Sequence, residues 1–480
     1  MAESIRGIVL DTLLAMEGRK NPSPFLMKSV LDQHCQLPDR DRAFLKRVTE
    51  GTVERQTELD YLLGCYVELP LMKMKPLIRC LLRMSLYQLL YLDAVPASAV
   101  CNEACKLAQE RRFRGLKGFV NGVLRSLARD REKGALPYPK EEEDPVLFLS
   151  VRYSMPLWLV RKWLETYGRE AAQTILEGLL RIHPVTIRFR EDLSQEAVLD
   201  YLEQFRAKGV QASAGAYLPS VYSLTHVHGV AALPGFAQGA FLVQDVSSML
   251  CVKAAGICSG NRVLDVCAAP GGKALLAAQM GAEVLARDVS AKKILLLEEN
   301  ILRMKAGNIR TQVWDARVFD PSEEAGADVV FLDLPCSGLG VIGKKRDIKY
   351  RGGEDKTEAL IALQKEIIRS SWRYVKPGGV LIYSTCTIGE GENEGMYRWI
   401  GENFPFVPDS IEPYLPEAVL ERKRRTQSLS KAVTLSEEEK AGCIQFLPGF
   451  FETDGFFFAR MKREKKVGHR STRDRENGAE

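Results

Sequence analysis

From Ile5 to about residue 131, apolar side chains recur every three to four positions and strict alternation is absent. That spacing predicts helices over Ile5–Met16, Pro24–Gln33, Asp39–Leu63, Pro76–Leu92, Pro96–Gln109 and Lys117–Arg131. Residues 1–137 therefore read as a separate all-α bundle. Pro137, Pro139 and the run Glu141–Asp144 then have the composition of a linker. Over 148–240 the two periods mix: helices at Pro156–Tyr167 and Glu170–Leu180, a strand at Val185–Arg190, a helix at Ser194–Ala207, and strands at Val210–Ala214 and Val221–Thr225. A strand, helix, strand, strand unit of this length predicts a small α+β, ferredoxin-like region of the kind many RNA-binding modules use.

From 241 to 461 strands and helices alternate as in a doubly wound α/β domain. Strands are expected at Arg262–Val266, Glu283–Ala286, Ile309–Trp314, Val329–Leu332 and Gly379–Ser384, and helices at Lys273–Gln279, Lys292–Lys305 and Thr357–Tyr374. Phe446 and Phe456–Arg460 read as an antiparallel pair closing the sheet. Arg422–Lys440 is polar enough to read as a mobile loop, and residues 462–480 as a disordered basic tail.

Composition narrows the setting. A 480-residue chain with 46% apolar and 27% charged residues is a soluble multidomain protein. It shows no apolar run of membrane length and no signal peptide, which predicts a cytoplasmic location. Eleven scattered cysteines fit a reducing compartment, and with five histidines and no second Cys or His pair beside Cys101 and Cys105, no metal is expected. The net charge of +5 is modest but unevenly spread: Lys106–Lys133 holds nine basic and three acidic side chains, and Arg460–Arg475 eight and two. Such clusters predict a polyanionic partner, against the alternative of a solvated face and a solubilising tail.

The run Val380–Thr387, VLIYSTCT, carries the first candidate chemistry. A buried strand ends abruptly at small hydroxyl residues and presents one thiol, Cys386, where open α/β sheets bind ligands. Gly389, Gly391 and Asn393 suit a loop leading into a helix whose positive end would favour thiolate. A lone cysteine there is more often a small core hydrophobe. Its company argues otherwise, because the fourth strand ends in Asp333-Leu-Pro-Cys336-Ser-Gly, adding a carboxyl group and a second thiol at a neighbouring strand end.

The strand Arg262–Val266 runs into Cys267-Ala268-Ala269-Pro270-Gly271-Gly272-Lys273, a glycine turn that lets a ligand approach backbone and a helix start. Asp288, after the second strand, is placed to accept from ribose hydroxyls, and Asp315, after the third, to reach an adenine amino group. Neither a Walker loop nor G-x-G-x-x-G is present. A nucleoside without phosphates, such as S-adenosylmethionine, fits better than a dinucleotide. Two thiols and an acid beside a methyl donor are what methylation of pyrimidine carbon 5 requires: a thiolate adds at carbon 6, an acid assists at N3, and a base later takes the carbon 5 proton.

The sequence resembles the RsmB family of bacterial 16S ribosomal RNA cytosine-C5 methyltransferases over nearly its whole length. The resemblance lies in Asp39–Ala43, Val95–Ala97 with Asn102-Glu103, Gly118–Arg125, Val243–Asp245, Cys267–Lys273, Asp333–Gly338, Arg346–Lys349 and Ser384–Thr387. It implies a NusB-like RNA-binding bundle ahead of a class I, Rossmann-like methyltransferase domain, acting on 16S ribosomal RNA before or during small-subunit assembly; nothing in the sequence suggests more than a monomer. By the same resemblance Cys386 is the nucleophile, Cys336 assists product release, and Asp333 lies near cofactor and base. Residues 267–273, Asp288 and Asp315 would hold S-adenosylmethionine, with Lys273 facing either substrate or cofactor carboxylate. Leu334 stands where alanine or proline is usual, and Asp315-Ala-Arg317 replaces Asp-Gly-Arg. A transfer RNA cytosine is the competing substrate, and a non-catalytic assembly or antitermination factor the competing class.

Overall fold

The computed structural model describes residues 4–17, 23–181, 184–227, 229–430 and 434–465. It separates into two compact units, Met1–Leu180 with Ile342–Gly352, and Arg181–Val341 with Gly353–Glu480.

The first unit is helical. Its central helix, Pro76–Tyr91, is buried without interruption from Ile78 to Leu89, as a helix at the middle of a bundle must be. Two arginines lie in that buried stretch. Arg79 and Arg83 both pair with Glu17, at 2.9 and 2.8 Å, and Arg83 also grips Asp60 through two donors. The predicted helix Asp39–Leu63 is in fact two, Asp39–Glu54 and Gln56–Gly64, breaking at Arg55. Helices Pro145–Arg152, Leu157–Tyr167 and Arg169–Leu180 complete the unit.

Ile342–Gly352 joins this unit although it is remote in sequence. The Lys349 ammonium, 1% exposed, donates to the carbonyls of Glu54 and Ser154 at 2.8 and 2.6 Å. Arg346 pairs with Glu54 at 2.9 Å and with Glu50. Burial lowers the Lys349 amine to about 7.

The second unit holds two sheets. In the smaller, β1 (Val185–Phe189), β2 (Gln211–Ala214), β3 (Val221–Thr225) and β4 (Phe241–Val243) run antiparallel in the order β2-β3-β1-β4. The helix Gln195–Ala207 buries Phe205 against Phe189 and Phe241. In the larger, β5 (Arg262–Asp265), β6 (Glu283–Asp288), β7 (Ile309–Val313), β8 (Ala327–Asp333) and β9 (Val375–Thr385) are parallel. The strands β10 (Phe406–Pro408), β11 (Cys443–Phe446) and β12 (Phe456–Arg463) are antiparallel additions. The order is β10-β12-β9-β8-β5-β6-β7, with β11 beside β12. Strand order reverses between β5 and β8, so the crevice forms beyond their carboxyl ends.

Three expectations need correction here. The last parallel strand, expected at Gly379–Ser384, already begins at Val375, with a bulge in β9 between the pairs Ala327–Val375 and Val329–Val380. The polar stretch after Arg422 is not one loop. The helix Glu417–Gln427 covers its start, burying Val419, Leu420 and the Lys423 stem, and Glu437–Gly442 is helical too. β12 continues through Arg463, while the tail beyond 465 lies outside the described residues. Among the described residues no helix is long and apolar enough to cross a membrane.

Candidate active site

β5 ends at Asp265 and the chain turns through Cys267–Gly271 into the helix Gly272–Gln279. The turn is tight: the Gly271 N–H donates to the Ala268 carbonyl at 2.8 Å, and Ala268 donates to Arg287 at 2.7 Å. Gly271 has φ 106°, in the left-handed region, and a Cβ there would lie 2.3 Å from Leu297 Cδ1. Only glycine fits.

The two acids at the next strand ends are both in place. Asp288, 3% exposed, closes β6 and accepts from the Ser290 N–H at 3.1 Å and the Lys293 ammonium at 3.3 Å. Asp315 follows β7 and accepts from the Arg317 N–H at 3.0 Å and its guanidinium at 2.7 Å, which holds the carboxyl below its usual range.

β8 and β9 bring the remaining groups together. Asp333 and Ser384 are paired in the ladder, and the Ser384 hydroxyl donates to Asp333 Oδ1 at 2.8 Å. The Lys273 ammonium lies 2.7 Å from Asp333 Oδ2 and 5.0 Å from the centre of the Phe456 ring. Burial alone would pull this amine down, but the charge of Asp333 and its neighbours holds it above its ordinary value. Just past both strand ends, Cys336 Sγ and Cys386 Sγ are 3.4 Å apart, hydrogen-bonded thiols rather than a disulfide. The bond to Cys386, burial, and the charges of Cys386 and Glu392 push the Cys336 thiol well above its usual range.

Cys267–Lys273, Asp288, Asp315, Asp333, Cys336 and Cys386 thus lie at or just past the carboxyl ends of β5, β6, β7, β8 and β9. The helix expected after the loop through Gly389, Gly391 and Asn393 begins at Glu394.

Two residues escaped the sequence reading. Asp265 is 1% exposed, and burial together with repulsion from Asp333 raises it to about 7. Its only signal was an acid at the end of the first parallel strand. Glu392, also 1% exposed, receives the Ser337 N–H at 2.8 Å. Nothing local marked it, because its partners lie up to 55 residues away.

Known proteins share this organisation. Residues 257–462 match the family described as 16S rRNA methyltransferase RsmB/F, residues 3–129 the NusB family, and residues 155–230 the ferredoxin-like domain of RsmF/B-like methyltransferases. The chain is 36% identical over 471 residues to the probable ribosomal RNA small subunit methyltransferase B of Bacillus subtilis, covering 96% of this chain and 99% of that one. It is 31% identical over 435 residues to ribosomal RNA small subunit methyltransferase B of Cronobacter sakazakii, covering 89% and 92%. The crystal structure of PH0851 superposes with a TM-score of 0.75 at 23% identity, over 96% of this chain and 100% of that one, and so shares its fold. The expected NusB-like, ferredoxin-like and Rossmann-like parts are borne out. With identity of this extent sustained from end to end, the chain belongs to the RsmB/F family of 16S rRNA methyltransferases.

Proposed function

We propose that this protein methylates carbon 5 of a cytosine in 16S ribosomal RNA, using S-adenosylmethionine, with Cys386 as the nucleophile. One observation carries the reading: two thiols 3.4 Å apart stand at adjacent strand ends beside a carboxyl group held by Lys273 and Ser384.

Carbon 5 of cytosine becomes nucleophilic only after the ring loses its aromaticity. Cys386, as thiolate, forms a bond to carbon 6 and drives an electron pair toward carbon 5 and N3. The Asp333 side chain keeps about a third of its surface open while Lys273 is buried behind it, so the pair offers the ring a carboxyl group held in place by a buried cation. After methylation the carbon 5 proton leaves to a base, the S–C6 bond breaks, and Cys386 departs with the bonding electrons. Cys336, kept as a neutral thiol, stands within hydrogen-bond reach to stabilise that leaving sulfur.

S-adenosylmethionine supplies an electrophilic methyl group on sulfonium. The residues fit it. The turn Cys267–Lys273 admits no side chain at Gly271, and Asp288 and Asp315 are acceptor-only groups with lone pairs to spare for hydroxyl and amino donors.

A groove in the helical unit supports an RNA substrate. Its lining includes four cations, Lys106, Arg114, Lys117 and Arg125, against one acid, Glu110.

The test is covalent trapping on undermethylated small-subunit RNA with labelled methyl donor. Cys386→Ala should form no RNA adduct, and Cys336→Ala should accumulate one. The reverse pattern on a denaturing gel rejects the assignment, and failure of the native enzyme to label cytosine carbon 5 rejects the reaction.

A further inference from the structure

We infer that Glu392 is a positioning residue that sets Cys336 against Cys386 and thereby governs release of the methylated RNA; the inference rests on the cysteine mechanism proposed above. The two thiols come from different loops, and the β8–β9 ladder ends at Asp333 and Ser384, before either is reached. Something beyond the ladder must fix the loops to one another.

The Glu392 carboxylate does this from a site 1% exposed. Oε1 accepts the Ser337 N–H at 2.8 Å and the Gln364 amide at 3.3 Å, and Oε2 accepts the Ser337 hydroxyl. Ser337 directly follows Cys336. Its hydroxyl also lies 2.6 Å from Thr387 Oγ1, and Thr387 directly follows Cys386. Thr387 Oγ1 in turn accepts the Leu339 N–H at 3.2 Å, and the Cys386 carbonyl accepts the Gly340 N–H at 3.1 Å. Behind the carboxylate, Gln364 donates to the Pro335 carbonyl at 2.9 Å and Tyr383 donates to the Glu392 carbonyl. One side chain therefore holds the residue next to one thiol and, through a single hydroxyl, the residue next to the other.

Three donors converge on this carboxylate. An amide in its place has one acceptor oxygen and turns two donors of its own toward them, so a glutamine cannot replace it without moving the Cys336 loop. The carboxylate charge also lies close enough to Cys336 to favour its protonated form. That is the form a residue needs if it is to stabilise a departing thiolate without competing as nucleophile.

The test is Glu392→Gln in the full-length protein, with single-turnover kinetics on RNA carrying the target cytosine. Methyl transfer and S-adenosylmethionine affinity should stay near wild type, while adduct decay slows about tenfold to a hundredfold. The alkaline limb of the decay profile should move to lower pH as Cys336 loses its negative neighbour. kcat and KM should fall together with kcat/KM unchanged, and Glu392→Asp, which keeps the charge, should restore the position of the limb. Ser337→Ala, which removes the shared hydroxyl alone, should slow decay in the same sense and serves if the glutamine variant does not fold. Wild-type decay and an unmoved limb in the folded variants overturn the inference, as does a parallel loss of melting temperature, cofactor binding and methyl transfer. If instead Cys386→Ala still methylates, the cysteine mechanism fails, an outcome distinct from wild-type behaviour of the Glu392 variants.

Discussion

The ammonium of Lys273 lies 2.7 Å from the carboxylate of Asp333, and both project from elements that end at the crevice. The lysine left open by the sequence between cofactor and substrate is thus joined to the acid beside the thiols. Lys273→Met should leave Asp333 with a partly buried, unpaired charge and lower methyl transfer by about 10²–10⁴-fold. Label incorporation at saturating RNA and cofactor measures this. A loss confined to cofactor affinity, with the rate intact when cofactor saturates, would assign the lysine to the methyl donor instead.

Gly271 is the point at which the cofactor turn has no tolerance. Alanine there would meet Leu297 at 2.3 Å while adopting φ 106°. A destabilisation of about 1–3 kcal/mol should follow, with weaker S-adenosylmethionine binding in calorimetry and unchanged affinity for RNA. A variant that binds cofactor like wild type would show the turn to be adaptable.

Lys349 makes the stability of the helical unit depend on pH. Its amine is lowered from 10.5 to about 7 by burial, so between those values the unfolded chain holds a proton that the folded chain has released. Stability from this group therefore rises with pH across the window, and the penalty is complete below about 7. The melting temperature of wild type should gain on that of Lys349→Met between pH 7 and 10. A constant difference between the two would mean that the buried amine does not titrate in this range.

The helical bundle was legible because each helix shows its apolar stripe within its own residues. Arg55, where one predicted helix becomes two, carries no glycine or proline, so local chemistry gave no warning. The helix Glu417–Gln427 was hidden by its charges: Lys423 buries an aliphatic stem, which a polar tally counts as solvated. In the crevice, Cys336, Cys386, Asp333 and Asp288 were legible because each ends a strong strand signal. Glu392 was not, since its role depends on Ser337 and Gln364, brought to it only by the fold. Asp265 was passed over for the same reason: its perturbation comes from Asp333 on a neighbouring strand.

The strap Ile342–Gly352 carries a lesson for dissecting the protein. A gene fragment ending at Leu180 would encode a helical unit lacking the lysine that satisfies the Glu54 and Ser154 carbonyls, and a fragment beginning at Arg181 would carry eleven residues whose seat is gone. The boundary between modules here is not a single point on the gene. Any attempt to exchange one half for that of a relative must move the strap with the helices.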